Sequence, residues 1–342
     1  MPSGVRLAMD ETEKLPAVKR PSWWKIAFNI VLVLGLIGAF VRELYKNWDG
    51  IIAYPWHLLN WELAMAAMGE LLFCSLLEIL IWNRALGCFV EPLSFVKVVP
   101  VFIWSNLARY IPGKVASLFL RTALGVEAGR PAVPVLATSA LELALRTASA
   151  LLIFIICLPA WGQTGRTDRN TELFLITAIV IIAVVMVCAH PKISMPVLNW
   201  GLKKIKQPSI AHRLRYRDIL GLIVLEMIRW VLVGISVFLL AWAIYPPARY
   251  AMLALIGMAN ASWAAGFLSL APGGVGVAEG VQILVLSKSL GFPHEVALIL
   301  PVSARVWSLA AESLWALAAW PLYARWSRKG TAVPVEETVN SS

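Results

Sequence analysis

The sequence predicts an all-α polytopic membrane protein, and three observations lead to that prediction. Only 15% of the 342 residues are charged and 59% are hydrophobic, whereas soluble domains carry about 25% charged residues. Apolar runs such as 26–40 and 174–189 are nearly unbroken, and about 20 helical residues cross a hydrocarbon core of about 30 Å. The sixteen tryptophans suit anchoring at the membrane interfaces. A β-barrel would instead show alternating strands of about ten residues.

Six segments have the length and apolarity of full spans. They are 26–45, 62–82, 131–158, 171–190, 218–245 and 294–324. An even number of spans places both termini on one side of the membrane. The stretch from Lys192 to Arg217 holds seven basic residues and no Asp or Glu. By the positive-inside rule, we expect this loop, the N-terminal segment 1–25 and the tail 326–342 to be cytoplasmic. The membrane domain, 26–325, is then a single unit in a bacterial inner membrane.

Two further apolar segments are each interrupted by a Pro-Gly sequence. The first covers 92–108, breaks at Arg109-Tyr-Ile-Pro112-Gly113-Lys114 and resumes over 115–124; the second covers 250–270, breaks at Ala271-Pro272-Gly273-Gly274-Val275-Gly276 and resumes over 277–290. A helix cannot continue smoothly through either block. At membrane depth such a break must be buried in protein or line a cavity. We interpret both as re-entrant helix–break–helix elements entering from opposite faces; the alternative is that one or both span fully.

The order of the segments predicts an inverted repeat. A helix, a broken element and a helix form one unit at about 62–158, and the same order recurs at about 218–324. One span, 171–190, separates the units, so the second is upside down. Inverted repeats with paired broken helices near the midplane are the design of many secondary transporters.

Ionisable residues inside the predicted spans are the candidate site. Arg109, Lys114 and Arg121 surround the first break, Glu279 follows the second, and three pairs share helix faces: Glu142 with Arg146, Glu226 with Arg229, and Arg305 with Glu312. A charge at the bilayer centre costs about 2.5 kcal/mol or more. Two interpretations stay open, a water-accessible polar cavity or internal salt bridges only.

If these residues line a cavity, an anionic group is the natural guest. The guanidinium groups of Arg109, Arg146, Arg229 and Arg305 suit bidentate binding of phosphate. The half-helices after the two breaks add exposed N–H groups and positive dipole ends. Carboxylates such as Glu142 and Glu279 could orient the arginines, bind a cationic part of a headgroup or carry protons.

The same residues resemble a known family. Arg109-x-x-Pro112-Gly113, Arg121, Glu142, the block Pro272-Gly273-Gly274-x-Gly276-Val277-x-Glu279 and Arg305 resemble the flippase-like family named for the transmembrane region of lysylphosphatidylglycerol synthases, over roughly 25–325. The family includes the membrane half of the multiple peptide resistance factor, which resembles a flippase for aminoacylated phosphatidylglycerol. The resemblance implies movement of a membrane lipid, either an anionic phospholipid or a polyprenyl-phosphate-linked molecule.

Two departures from the family pattern bear on the substrate. No synthase domain follows residue 330, so we expect this chain not to make lysyl lipid itself. Ala278 stands where the family commonly has Arg before the glutamate, which removes one expected charge from the glycine block.

Other classes of function find little support in the sequence. Gly113-Lys114 is not a Walker A motif, and no zinc-protease or G-x-S-x-G motif occurs. We therefore expect a protein that is not an enzyme and needs no cofactor or metal. The net charge of +10 fits loops held against anionic lipid better than nucleic-acid binding. The alternatives are a membrane transferase acting on a lipid phosphate, and a small-molecule exporter or assembly partner; a homo-oligomer stays open.

Overall fold

A computed structural model describes residues 45, 54–110, 116–161, 187, 190–210, 214–269 and 271–330. The predicted spans 26–45 and 171–190 lie almost wholly outside these ranges, as do Pro112, Gly113 and Lys114. The described part is helical, without strands. Its α-helices are α1 (Trp61–Leu86), α2 (Phe95–Leu107), α3 (Ala116–Glu127), α4 (Ala132–Cys157), α5 (Pro191–Lys204), α6 (Tyr216–Ile244), α7 (Met252–Leu268), α8 (Val277–Leu284) and α9 (His294–Gly330).

Five helical stretches in the described ranges are long and apolar enough to cross a membrane. They are Trp61–Leu86, Ala132–Trp161, Tyr216–Ile244, Pro246–Leu268 and His294–Trp326. Four of them coincide with predicted spans, so the multi-pass α-helical prediction is confirmed for this part of the chain. The fifth is the first half of the second broken element.

The two broken elements differ in length. In the first element α2 has 13 residues, and a 3₁₀ turn at Ala108–Tyr110 ends it. In the second element the 3₁₀ turn Pro246–Ala251 and α7 together form a predominantly apolar helical stretch of 23 residues. From the sequence we expected the first halves of the two broken elements to be equivalent. In the structure only the first half of the second element has the length of a full span. The difference arises because Pro246 and Pro247 start a helical turn before α7 instead of ending one.

The basic loop contains a helix that the sequence analysis did not predict. Helix α5 occupies the first half of the stretch predicted as loop from Lys192 to Arg217. Pro191 starts the helix, and Nδ1 of His190 accepts a hydrogen bond from the Lys192 N–H at 3.2 Å. Lys203 and Lys204 lie in the last turn, where the helix dipole favours positive charge.

The two predicted units pack in a reciprocal pattern. Helix α1 packs along α6, its counterpart in the second unit; α4 packs on α7, and α9 packs on α2. The last two contacts correspond to each other, because each joins the final helix of one unit to the first half of the broken element of the other unit. Glycine allows close approach at the contact of α4 with α7: a Cβ at Gly257 of α7 would lie 2.8 Å from Cβ of Cys157 in α4.

The buried apolar residues form a core around these contacts. One cluster joins α1, α6, α7 and α9 through side chains such as Phe238, Leu255, Met258 and Leu300. A second joins α1, α2 and α9 around Trp82 and Phe102. Between the two clusters, the helices leave room for polar side chains.

Candidate functional site

A cavity of about 340 Å³ lies between the helices where the two broken elements meet. This volume falls within the range of small-molecule sites, roughly 300–1,000 Å³. Residues of α1, α2, α3, α4, α6, α7, α8 and α9 contribute to its wall. The charged residues of the wall are Arg109, Arg121, Arg146, Arg229, Arg305, Glu78, Glu142, Glu279 and Glu312.

The glycine-rich break forms one wall of the cavity. Gly273, Gly274 and Gly276 have φ values of 60°, 68° and 83°, a conformation that side chains disfavour. Gly274 also packs directly on α7, since a Cβ there would lie 2.9 Å from Cα of Gly266. Pro272 begins the 3₁₀ turn that carries the first two of these glycines. The break therefore brings its backbone to the cavity, as the sequence predicted for a break at membrane depth.

Glu279 and Arg305 hold this break in place. Oε2 of Glu279 accepts a hydrogen bond from the Gly276 N–H at 2.7 Å, which caps α8. Oε1 of the same carboxylate accepts from Nε of Arg305 in α9 at 2.6 Å. The guanidinium of Arg305 also donates to the carbonyl of Gly273, at 3.3 and 3.4 Å. Its side chain is 25% exposed, so it reaches the cavity while bonded to both ends of the turn.

Arg109, at the first break, pairs with Glu312 of α9. The sequence analysis grouped Arg305 with Glu312 because they share a helix face, and in the structure each of them is ion-paired with a residue of another element. Seven helical residues rise about 10 Å, so the two side chains share a face but bond to different partners. Helix α9 thereby holds the second break through Arg305 and the first through Glu312.

Arg121 is buried beside the first break. Its Nε donates to Oγ of Ser105 at 2.9 Å, and Nη1 lies 3.5 Å from Oε2 of Glu142. Its guanidinium carbon lies 4.1 Å from the centre of the Phe102 ring. With a side chain only 5% exposed, Arg121 ties α3 to α2 and α4.

Glu142 and Arg146 form the predicted ion pair along α4, and the structure adds a third member. Arg146 also pairs with Glu78 of α1. The sequence analysis did not include Glu78 among the site residues. The signal was available, because a glutamate at that depth is as costly as Glu142.

Glu226 and Arg229 form the pair predicted on α6. Nε of Arg229 donates to Oε2 of Glu226 at 2.8 Å, and the guanidinium lies over the Trp230 ring, 4.2 Å from its centre. Arg229 lines the cavity, whereas Glu226 lies behind it. Nη2 of Arg229 is buried and has no hydrogen-bond acceptor within the described residues.

The structure brings most of the predicted site residues together. Those that line the cavity are Arg109, Arg121, Glu142, Arg146, Arg229, Gly273, Gly274, Glu279, Arg305 and Glu312. Glu226 and Gly276 do not line it but bond to residues that do. Pro112, Gly113 and Lys114 lie outside the described residues. Sequence reasoning missed the uncharged polar and aromatic members of the wall, including Ser262, Gln282 and Trp263, because nothing in their spacing distinguishes them from ordinary residues of a span.

Comparison of the chain with protein-family models, curated proteins and solved structures finds no match. The likeness to the flippase-like family therefore rests on the motif residues alone. Among the described residues, no group of three His, Cys, Asp or Glu side chains is placed to hold a metal ion. The geometry of the cavity is thus the basis for inferring a function.

Proposed function

We propose that this protein is a lipid translocator that moves a phosphate-containing lipid or lipid-linked headgroup across a bacterial inner membrane. The observation that carries the proposal is the charged cavity of about 340 Å³ inside a bundle with five helices long enough to cross a membrane. A lipid crossing a bilayer needs shelter for its polar headgroup while its chains stay in the hydrocarbon. A polar cavity enclosed by apolar helices supplies that shelter.

The arginines of the wall support a phosphate as the guest. A guanidinium binds phosphate through two parallel hydrogen bonds. The side chains of Arg109 and Arg305 are 35% and 25% exposed, much more than those of Arg121 and Arg229. We assign direct headgroup contact first to Arg305, because it lies at the glycine break. Arg121 and Arg146 are packed into ion pairs that hold α1, α3 and α4 together.

The reciprocal packing of the two units supports an inverted repeat and, with it, alternating access. In this proposal the two broken elements enter the membrane from opposite faces and meet at the cavity. Helix α9 contacts both breaks, through Arg305 and Glu312. A shift of α9 would therefore change both walls of the cavity together.

The competing interpretation is that the charges are structural ion pairs only. Each arginine of the wall does have a carboxylate partner. Structural pairing alone, however, does not require a hollow of this size between the pairs. Since buried ion pairs are often no more stable than well-packed apolar residues, five arginines with their carboxylate partners around a cavity favour a site over a scaffold.

Transport in proteoliposomes tests the proposal. The purified chain is reconstituted with phospholipids that carry a fluorophore on one acyl chain, and reduction by external dithionite reports exchange between leaflets. We expect Arg305→Gln to slow the protein-dependent exchange about tenfold or more, because a hydrogen bond to a charged group contributes about 1.5–3 kcal/mol. The matched control is Arg84→Gln, which removes an exposed arginine outside the cavity and should exchange lipid at the wild-type rate.

Two outcomes would contradict the proposal. One is wild-type protein that exchanges no lipid faster than empty liposomes, for any headgroup supplied. The other is Arg305→Gln protein that folds, by its melting temperature, and transports as fast as the Arg84→Gln control.

A further inference from the structure

The described part of the cavity wall is electrically balanced. It holds five arginines and four glutamates, and the fifth arginine, Arg229, pairs with Glu226 directly behind the wall. Within the described ranges no lysine, histidine or aspartate lines the cavity. Among the described residues, the arginines of the wall and their carboxylate partners are therefore equal in number, and their formal charges cancel.

Each arginine is matched locally as well as in the total. Arg109 pairs with Glu312 and Arg305 with Glu279; Arg121 and Arg146 share Glu142, while Arg146 also bonds Glu78. This set, together with Arg229 and Glu226, consists of units that are each neutral. If an anion binds one of these guanidinium groups, it displaces the carboxylate that was paired with it, and that carboxylate is left without a positive partner.

That freed carboxylate decides which guest fits. Leaving one member of a buried ion pair without its partner is strongly unfavourable. A guest that carries only negative charge is therefore disfavoured, because it leaves an unpaired glutamate and adds its own negative charge beside it. A guest that carries a phosphate and an ammonium group replaces one internal ion pair by two pairs with the guest. The cavity then stays neutral, and no carboxylate is left alone.

A second observation points the same way. Nη2 of Arg229 is a buried donor without an acceptor, and Oε1 of Gln282 is a buried acceptor without a donor, both within the described residues and both on the cavity wall. Arg229 has a side chain only 5% exposed. Arg229 and Gln282 thus have an unmatched donor and an unmatched acceptor beside the cavity.

Aromatic rings on the same wall suit the ammonium group. Trp263 lines the cavity between Trp230, 4.5 Å away between ring centres, and Phe267, which stacks on it at 5.3 Å. The face of a tryptophan attracts cations, including alkylammonium groups. The face of Trp230 already carries the guanidinium of Arg229.

From this balance we propose that the guest is an electroneutral headgroup that carries one phosphate and one ammonium group. The inference rests on the proposed translocation and names its substrate class. The phosphate binds at Arg305, beside the unmatched donor of Arg229, and the ammonium group is received by a displaced carboxylate, Gln282 and the face of Trp263. Phospholipids of net negative charge are poor substrates.

A panel of acyl-labelled lipids in the same proteoliposomes tests the headgroup class. We expect phosphatidylethanolamine to exchange about tenfold faster than phosphatidylglycerol and phosphatidic acid, a difference of about 1.4 kcal/mol. Phosphatidylcholine has no N–H for Gln282, but it keeps the positive charge and the contact with Trp263, and we expect it to exchange faster than the two anionic lipids as well. Exchange of phosphatidylglycerol at an equal or higher rate would overturn the headgroup inference and leave translocation standing. Exchange of none of the four lipids would overturn translocation itself. Release of entrapped phosphocholine without lipid exchange would assign the chemistry to a soluble guest and overturn the lipid proposal.

A charge-balance series separates this inference from a structural role of the same residues. Glu312→Gln gives the cavity one excess positive charge, and we expect its ratio of phosphatidylglycerol to phosphatidylcholine exchange to rise about tenfold, or about 1.4 kcal/mol. Arg109→Gln should lower that ratio. The double variant restores neutrality and should restore the wild-type ratio. Loss of exchange that is equal for both lipids in both single variants would contradict the inference.

Discussion

At the scale of single residues, exposure separates two kinds of arginine in the cavity wall. Arg121 is packed against the Phe102 ring, and it donates hydrogen bonds to Ser105 and Glu142. Arg305 instead has a quarter of its side chain exposed and a backbone carbonyl as one of its acceptors. A carbonyl holds a guanidinium less strongly than a second carboxylate would. Arg305 is therefore free to exchange part of its bonding with a guest.

Glu226 tests whether the buried pairs stabilise the fold. Glu226→Gln leaves the buried Arg229 without its carboxylate, and we expect a loss of about 3–5 kcal/mol of stability. The control is Glu91→Gln, which removes a carboxylate 82% exposed and 3.4 Å from Arg130; a surface pair contributes about 0–1 kcal/mol. Melting temperatures of the purified variants measure the difference. Equal melting temperatures for the two variants would show that the Glu226–Arg229 pair adds no stability.

The sequence predicts which residues belong to the site better than which residues pair. Charges in a span are conspicuous, so Glu142, Arg146, Arg229 and Arg305 could be identified from their position alone. Pairs within one helix were also predictable, since i,i+3 and i,i+4 spacing fixes them. The pairs between helices, such as Arg305 with Glu279, depend on how distant segments pack. No local pattern encodes that packing.

At the scale of elements, the second break depends on the contact of two glycines. Gly274 has a left-handed φ of 68° and its Cα lies against Gly266 of α7. The Glu279 cap and the Arg305 bonds then fix the same turn from α8 and α9. Backbone conformation, packing and hydrogen bonding agree at this point, and so the break is a defined structure and not a loose loop.

Gly274→Ala tests this element. We expect the substitution to destabilise the protein by about 2–5 kcal/mol, because a left-handed alanine costs about 1–2 kcal/mol and overpacking costs about 1–3 kcal/mol more. Lipid exchange should fall with it, since the break forms the cavity wall. The control is Gly280→Ala in α8, where an added Cβ meets no atom within 4 Å and helix propensity improves by about 1 kcal/mol. A Gly274→Ala protein as stable and active as Gly280→Ala would contradict this account of the break.

The breaks themselves could be predicted from the sequence, but the difference between the elements could not. Proline and glycine mark where a helix must stop, whatever surrounds it. The length of each half-helix depends instead on whether the preceding turn joins it. Pro246 and Pro247 lie between the predicted segments 218–245 and 250–270, and they form the first turn of a stretch that reaches Leu268.

At the scale of the whole molecule, the packing of the two units places the cavity. Helices α1 and α6 form the central contact, and the reciprocal contacts of α4 with α7 and of α9 with α2 flank it. Each unit thus contributes one broken element to the space between them. The order of the segments already indicated two equivalent units. The cavity between the two units depends on how their helices pack, and the order of the segments does not predict it.

An experimental structure of the protein in nanodiscs of phosphatidylethanolamine and phosphatidylglycerol tests the central claim most directly. The proposal predicts density for a phospholipid headgroup inside the cavity, with its phosphate within hydrogen-bonding distance of the Arg305 or Arg229 guanidinium. The surrounding lipid belt would also show whether residues 126–130 lie at the cytoplasmic face, as a re-entrant first element requires. A cavity closed by its own ion pairs, with lipid only around the outside of the bundle, would contradict the claim.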